Sequence, residues 1–383
     1  TKSLTDWKIF DTIMIVATHE PGMPHNFTLD DTRQVVRIQC WSEILKLGSF
    51  TRLIRLLEWQ IRVFLRFRRQ KVDCINCHSI WVLPASVMLK YVTKAKLIYD
   101  THELETETVG NRGLKKYLAK FIERSLIKRV DSTITVNDSI SDWYRKEYQL
   151  AKVHTVKNVP NQASNKNTKV FSLKSQLGLR PEDLLCIYQG LLAEGRGVEI
   201  LLAAFTKTQK AHIVFLGFGK FEQMIKSSAA RYTNIHFCEA VPPDQLLSVT
   251  AGADIGISLI ENVCLSYFLS LPNKLYEYLV GGIPVIASNF PEMSKVITDS
   301  DCGWCTEVNA DSVAQLLENL DWQEVQIKKG NIANYIKEIG WHNEELRMFQ
   351  AYEELELTQS VINRQPSATL TTKVADYVPV KVK

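Results

Sequence analysis

The sequence predicts an α/β protein made of two doubly wound parallel-sheet domains facing each other across a cleft. Three observations carry that reading. Strand-like and helix-like runs alternate along nearly the whole chain. A polar break rich in Asn, Ser and Lys, from Asn158-Val159-Pro160-Asn161 to Lys169, splits them into two series. With 383 residues, 45% of them hydrophobic, the chain can bury two cores of ordinary domain size.

Short apolar runs bounded by polar residues read as buried strands, and longer runs of helical period as helices. In the first series the strands fall at Ile9–Val16, Val72–Cys77, Lys96–Tyr99, Thr133–Val136 and Val153–Val156. Helices fall at Arg33–Leu47, stopped by Gly48, then Trp81–Tyr91, Leu114–Lys128 and Ser139–Glu147. The second series places strands at Leu184–Tyr188, Ile213–Leu216, Ile235–Cys238, Ile255–Leu259 and Ile283–Ala287. Its helices are Val198–Thr206, Lys220–Ala230, Pro243–Ala251 and Pro272–Val280. The domains are thus expected over 1–162 and 163–340, with one more helix at 341–356 and a disordered tail over 357–383. Open sheets of this kind bind ligands beyond the carboxyl ends of their strands.

Composition excludes several classes. Net charge is only +4, and seven cations between Arg52 and Lys71 stand against Glu58 alone, a local +6 that leaves −2 for the rest. That balance argues against nucleic acid and for one cationic element. No run of eighteen apolar residues occurs, so no membrane span is expected. Ile9–Val16, short and interrupted by Asp11, reads as a strand and not a signal peptide. Eight cysteines lack the density of a disulfide scaffold, which suits a reducing cytoplasm. Cys74-Ile75-Asn76-Cys77-His78 spells a haem-attachment pattern, but it lies in a strand, where residues three apart face opposite ways. These cysteines are expected to be small buried apolar residues, and no metal site is expected.

The most informative stretch is Leu271–Ser288, LPNKLYEYLVGGIPVIAS. Pro272 suits the first turn of a helix, Leu275, Tyr276 and Leu279 form its apolar face, and Gly281-Gly282 end it. Its mouth offers backbone N–H groups and the positive dipole end, with Lys274 in the first turn and Glu277 one turn on. Ser270, Leu271, Pro272, Asn273, Lys274 and Glu277 would fit a diphosphate beside a hydroxyl-bearing sugar. They would also fit a capped surface helix with a solvated lysine and glutamate.

Three further motifs carry chemistry. Gly190-Leu191-Leu192-Ala193-Glu194-Gly195-Arg196-Gly197 links a buried strand to a helix. Gly190, Gly195 and Gly197 would let backbone approach a phosphate while Arg196 supplies charge, or the loop is simply flexible. Gly217-Phe218-Gly219 opens like a dinucleotide fingerprint but has Glu222 at the third glycine position, so close packing near a nucleotide and a plain tight turn both fit. Tyr99-Asp100-Thr101-His102-Glu103 ends a strand, where His102 could donate to a sugar hydroxyl or serve only structure.

Arg52, Arg55, Arg62, Arg66 and Arg69 are spaced 3, 7, 4 and 3, with Trp59 in the gap. On a helix they form one cationic stripe for an anionic membrane or an acceptor phosphate, the apolar face packing inward. A solvated basic face is the alternative.

Together these residues resemble a retaining, nucleotide-sugar-dependent glycosyltransferase of family 4, the group 1 enzymes. The resemblance rests on YDTHEL at Tyr99–Leu104, GLLAEGRGVEIL, VFLGFG and SLPNKLYEYLVGGIPVIASNFPEM from Ser270. It implies the GT-B fold, with the helix from Trp341 crossing back onto the N-terminal, acceptor-binding domain. By position, Glu277 resembles the glutamate that binds the donor ribose, Arg196 the residue that grips the diphosphate, and His102 the histidine offered to the donor sugar. Gly22 falls in the loop where relatives place small residues beside the diphosphate.

Two positions depart from the pattern: Leu269 stands where the EX7E motif has its first glutamate, and Leu191 where a second basic residue is common. Lys274 is expected to replace the charge, and backbone amides around Ser270–Asn273 the glutamate's contacts. The resemblance further implies a UDP-sugar donor in preference to a GDP-sugar, no tightly bound cofactor, and a departing phosphate that itself takes the acceptor's proton. A glycan or lipid-linked acceptor in bacterial surface polysaccharide synthesis would place the enzyme in the cytoplasm, at the inner face of the membrane. The competing readings are an NAD-dependent oxidoreductase, which the incomplete glycine fingerprint disfavours, and a non-catalytic scaffold of the same fold.

Overall fold

The computed structural model describes residues 1–44, 48–160 and 172–358. The expected linker beyond Pro160 and the expected tail beyond Thr358 lie outside them.

The C-terminal half is built on six parallel strands: β8 (Leu184–Leu191), β9 (Ala211–Phe218), β10 (Ile235–Glu239), β11 (Ile255–Ser258), β12 (Val285–Ser288) and β13 (Gly303–Thr306). Their order is β10-β9-β8-β11-β12-β13, which is the 3-2-1-4-5-6 order of a doubly wound sheet. The order reverses between β8 and β11, so a crevice opens beyond their carboxyl ends. Period-two alternation sorts β8 into two cores: Cys186 and Tyr188 pack on one face, Leu185 and Ile187 on the other. β8 and β9 run further than their apolar runs suggest, through Gly190 and Gly217. A Cβ on Gly217 would lie 1.9 Å from the Gly190 carbonyl oxygen, so only glycine lets the two strand ends meet there. Strand β13 and the helices Pro291–Ser300, Ala310–Asn319 and Trp322–Glu338 lie in segments the pattern had not resolved.

The N-terminal half carries two sheets among the described residues. β4 (Cys74–Cys77), β5 (Lys96–Thr101), β6 (Ser132–Thr135) and β7 (Val153–Thr155) pair in parallel in sequence order. β1 (Ile13–Thr18) pairs in parallel with β3 (Arg33–Ile38), which pairs antiparallel with β2 (Asn26–Thr28). The helix expected over Arg33–Leu47 is therefore wrong. Val35, Val36 and Ile38 favour a strand, Val36 and Ile38 alternate into the core, and Asp30 fixes the turn by accepting from the Thr32 and Arg33 amides. The first strand also begins later than expected, at Ile13. Ile9 packs instead against Phe349 and Tyr352 of the helix Trp341–Glu353. That helix is tied to the N-terminal half by Trp341 donating to Ser3 and Asn76 donating to the Tyr352 hydroxyl.

One buried carboxylate pins the helix Leu114–Leu126. Glu123 is fully buried and accepts from the hydroxyls of Tyr99 (3.0 Å), Tyr144 (2.9 Å) and Tyr148 (2.7 Å). Burial pushes its pKa up, and the three tyrosines oppose that shift. Glu123→Ala would leave three buried hydroxyls without an acceptor and a cavity beside them. We expect it to cost about 3–5 kcal/mol, read as a lowered urea midpoint; a loss under about 1 kcal/mol would show that the tyrosines find other partners.

The interdomain cleft as candidate active site

Between the halves lies a cleft of about 710 Å³. Its C-terminal wall is the end of β8, the loop after it and the mouth of the helix Asn273–Val280; its N-terminal wall is the end of β5 and the start of the helix Asp138–Tyr148. His102, Arg196, Lys274 and Glu277 all line it, as do Gly190, Gly217, Ser270, Leu271, Pro272 and Asn273.

The remaining predicted donor-site glycines do not line the cleft, and three of them serve packing. A Cβ on Gly195 would meet Tyr267 at 3.0 Å, and one on Gly197 would strike Leu259 at 2.8 Å. The loop is closed on itself: Glu261 donates its amide to the Gly195 carbonyl, and its carboxylate accepts from the Gly197 amide at 3.1 Å. Gly219 passes within 2.5 Å of the Leu192 carbonyl, measured from where its Cβ would be. Gly22, at φ +84, sits in the exposed turn between β1 and β2 and takes no part in the cleft wall.

Pro272 stands one residue outside the helix, as its N-cap, and the helix runs Asn273–Val280. Lys274 on its first turn places Nζ 3.8 Å from the centre of the Tyr188 ring. Burial, and then the nearby Arg196 charge, lower its pKa to about 7, with Glu277 pulling the other way. The Arg196 guanidinium lies 4.6 Å from the Tyr267 ring centre, which holds it against the cleft wall. Glu277 accepts from Gln189 Nε2 at 2.5 Å, and Gln189 Oε1 accepts from the Thr250 hydroxyl at 2.6 Å. That relay fixes which way the carboxylate faces. Burial raises the pKa of Glu277, while the Gln189 hydrogen bond and Lys274 lower it.

Sequence reasoning missed Gln189 and Thr250, and it named Glu103 only as part of the motif that ends β5. Gln189 was legible as the one polar side chain in the apolar run LLCIYQG, directly before the glycine. Thr250, on another helix 61 residues away, left no signal. Glu103 lines the cleft beside His102, with its pKa raised by burial and lowered by Arg196.

Leu269 does what a glutamate there could not. Its side chain packs against the apolar cluster of the N-terminal half, and its carbonyl accepts from Asn137 Nδ2 at 2.8 Å. Asn137 caps the helix Asp138–Tyr148 with its other amide atom, Oδ1 accepting from the Ile140 amide. The same helix end receives Glu292 from the opposite half, which accepts from the Ser139 amide at 2.7 Å, while Lys295 pairs with Asp138. The amide of Ser270, in contrast, is not free for a ligand, because the Tyr267 carbonyl accepts it along with the Ser270 hydroxyl. Asn137→Ala removes a cap and an interlobe bond together. We expect a loss of about 1–2 kcal/mol by thermal melting, and no change in melting would show both bonds to be idle.

His102 sits 3.2 Å from His78, through Nε2 and Nδ1, and His78 Nδ1 lies 3.3 Å from Asp100. These three are the residues among those described whose ligand atoms cluster closely enough to hold a metal ion. One imidazole proton shared across His78, His102 and Asp100 accounts for the same spacing. Cys74 and Cys77, by contrast, have their thiols pushed up by burial to about 12 and about 11, which leaves them inert.

The arginine stripe is elsewhere, on the helix Ser49–Phe67, and only part of it faces out, while the apolar face expected to pack inward is the more open one. Arg55 donates to the Ser42 carbonyl, Arg62 pairs with Glu58 and lies over the Trp41 ring, and the Trp59 indole donates to the Ala17 carbonyl. Arg52 and Arg66 are exposed on the helix, and Arg69 lies beyond its end. Trp59 packs on the β1–β3 sheet, so the apolar positions Leu53, Leu57, Ile61 and Leu65 are the ones left open.

Two family models match the chain: Glycosyltransferase Family 4 over residues 14–160 and Glycosyl transferases group 1 over residues 170–335. No curated protein sequence matches it. Among solved structures, the sucrose-phosphate synthase of Thermosynechococcus elongatus superposes with a TM-score of 0.74 at 14% identity, over 90% of this chain and 89% of that one. Anabaena HepE in complex with UDP gives 0.64 at 14% identity, over 84% and 86%. WaaG, a glycosyltransferase involved in lipopolysaccharide biosynthesis, gives 0.59 at 14% identity, over 85% and 88%. At such identities the superpositions speak for the fold, and the two family models, between them spanning nearly all of both halves, speak for the lineage. The chain belongs to the group 1, family 4 glycosyltransferases and has their GT-B fold.

Proposed function

We propose that the cleft binds a nucleoside-diphosphate sugar, UDP-linked in preference to GDP-linked, and transfers the sugar with retention to a hydroxyl of a glycan or lipid-linked acceptor. One observation carries this reading: Arg196, Lys274 and Glu277 converge on the mouth of the helix Asn273–Val280 in a single interdomain cleft. Two cations and a helix N-terminus suit a diphosphate, and a carboxylate held by Gln189 suits ribose hydroxyls. Charge that develops on the leaving diphosphate would meet groups already in place. His102 lines the cleft from the other side, just beyond β5, and would donate to the sugar. The relatives complexed with UDP and UDP-glucose support the choice of base. No tightly bound cofactor is needed, since Arg196 and Lys274 supply the positive charge. WaaG's involvement in lipopolysaccharide biosynthesis supports a place in surface polysaccharide synthesis.

The test is thermal stabilisation by UDP, GDP, NAD and UDP-sugars in turn. A ligand at 100 times its dissociation constant adds about 2.7 kcal/mol. Stabilisation by UDP that Arg196→Ala weakens is the expected result. Stabilisation by NAD with none from UDP or GDP would overturn the reading.

A further inference from the structure

The helix Ser49–Phe67 turns Arg55, Trp59 and Arg62 back onto its own fold and leaves its apolar stripe outside. Leu53, Leu57, Ile61 and Leu65 recur every four residues along one face and are between 42% and 59% exposed. That stripe forms one side of a groove of about 480 Å³ whose far wall is the helices Leu83–Thr93 and Leu114–Leu126, with Trp81, Met88 and Leu118 in it. Beyond the groove the apolar surface continues: Leu114, Tyr117 and Phe121 are 71–88% exposed. Glu123 explains why, since anchoring the helix by its inner face to three tyrosines turns these side chains outward. An apolar surface of this extent is a contact surface for something.

Charge says what it contacts. The described residues of the three helices expose no carboxylate: Glu58 is half-buried and bound to Arg62, and Glu123 is enclosed. Exposed cations surround the apolar face, with Lys115, Lys120 and Arg124 on one helix and Arg52 and Arg66 on another; Lys120 pairs with the buried Glu107, and Arg124 with Glu147 of the helix Asp138–Tyr148. Lys115 also lies 5.4 Å from the Trp81 ring centre, at the groove's rim. A protein partner would ordinarily be met by mixed charge, and a second copy of this face would bring cation against cation. An apolar floor with aromatic residues and a rim in which cations outnumber carboxylates matches an anionic lipid leaflet.

We propose that these three helices are the surface by which the N-terminal domain docks into an anionic phospholipid leaflet, with the groove open to a lipid chain. The proposal deepens the lipid-linked acceptor reading above and rests on it. It also replaces the arginine stripe as the point of contact: the cations act at the rim and the leucines enter the membrane.

Cosedimentation of the full chain with vesicles of phosphatidylcholine, with and without phosphatidylglycerol, tests it. We expect binding only when phosphatidylglycerol is present. The pairs Ile61→Ser with Phe121→Ser, and Lys115→Glu with Arg124→Glu, should each weaken it about tenfold or more, with stabilisation by UDP unchanged. Absence of binding to phosphatidylglycerol vesicles would overturn the proposal, as would binding that the serine pair leaves intact. A dimer in sedimentation velocity that the serine pair dissolves would also overturn it, assigning the face to a second copy. Failure to bind vesicles with UDP stabilisation intact removes this surface alone; a wild-type chain that binds vesicles and ignores UDP removes the donor reading alone.

Discussion

Arg196→Ala is expected to lower kcat/KM by about 2–4 kcal/mol, roughly 30- to 1000-fold, with the larger part in kcat. The guanidinium is held against Tyr267 before any ligand arrives, so it costs little to reorganise when charge moves onto the leaving diphosphate. Substrate carries that charge only in part and the transition state carries more of it, hence the emphasis on kcat. Glu277→Ala should cost a similar amount for a different reason. Its carboxylate would hold ribose through hydroxyls that do not change during reaction, so the loss should fall mainly on KM. It also leaves the Gln189 amide without its acceptor. Gln189→Ala then becomes informative, because it leaves Glu277 present but unaimed; a rise in KM with little change in kcat is expected. Steady-state rates with a nucleotide sugar decide the matter, and a near-wild-type kcat/KM for both Arg196→Ala and Glu277→Ala would overturn the site assignment.

What the sequence made legible was whatever chemistry and period lie close together in the chain. The mouth of the Asn273–Val280 helix could be read because Pro272, Lys274 and Glu277 fall within six residues. The strand β3 was misread because Arg33–Leu47 contains apolar residues at both helical and alternating spacings, and only pairing with β1 and β2 chooses between them. The arginine stripe was misjudged for a related reason. Nothing in the heptad-scale pattern says that the Ser42 carbonyl will accept from Arg55, or that Glu58 will bind the amides of Trp41 and Ser42. Those contacts drew the middle of the polar face inward and left the apolar side open. Leu269 is the sharpest case. It departs from the family pattern in sequence, yet in space it is a bridge, its side chain in one half's core and its carbonyl on the cap of that half's helix. A departure of that kind becomes intelligible only when both halves are folded.

Binding of UDP should weaken as pH rises above about 7, and Lys274 should be the cause. Without a ligand its pKa is lowered to about 7, first by burial and then by Arg196, with Glu277 opposing. A diphosphate placed beside it would favour the ammonium and raise that pKa. A group whose pKa is higher in the complex contributes its full share of affinity below the free pKa, and that share fades as pH climbs through the bound pKa. Between the two, affinity should fall by up to about tenfold per pH unit, with close to one proton taken up on binding. Calorimetry at pH 7, 8 and 9 in buffers of different ionisation enthalpy measures both quantities. Lys274→Met keeps the side chain's bulk over Tyr188 and removes the titration, so its affinity should be lower at pH 7 and flat from there upward. Arg196→Ala should shift the wild-type slope to higher pH, because removing that cation lets Lys274 hold its proton longer. Turnover by Lys274→Ala should drop along with binding if this cation replaces the basic residue absent at Leu191. A wild-type profile flat between pH 7 and 9, or a Lys274→Met profile that keeps the wild-type slope, would remove Lys274 from the diphosphate and leave the helix N-terminus and Arg196 to hold it.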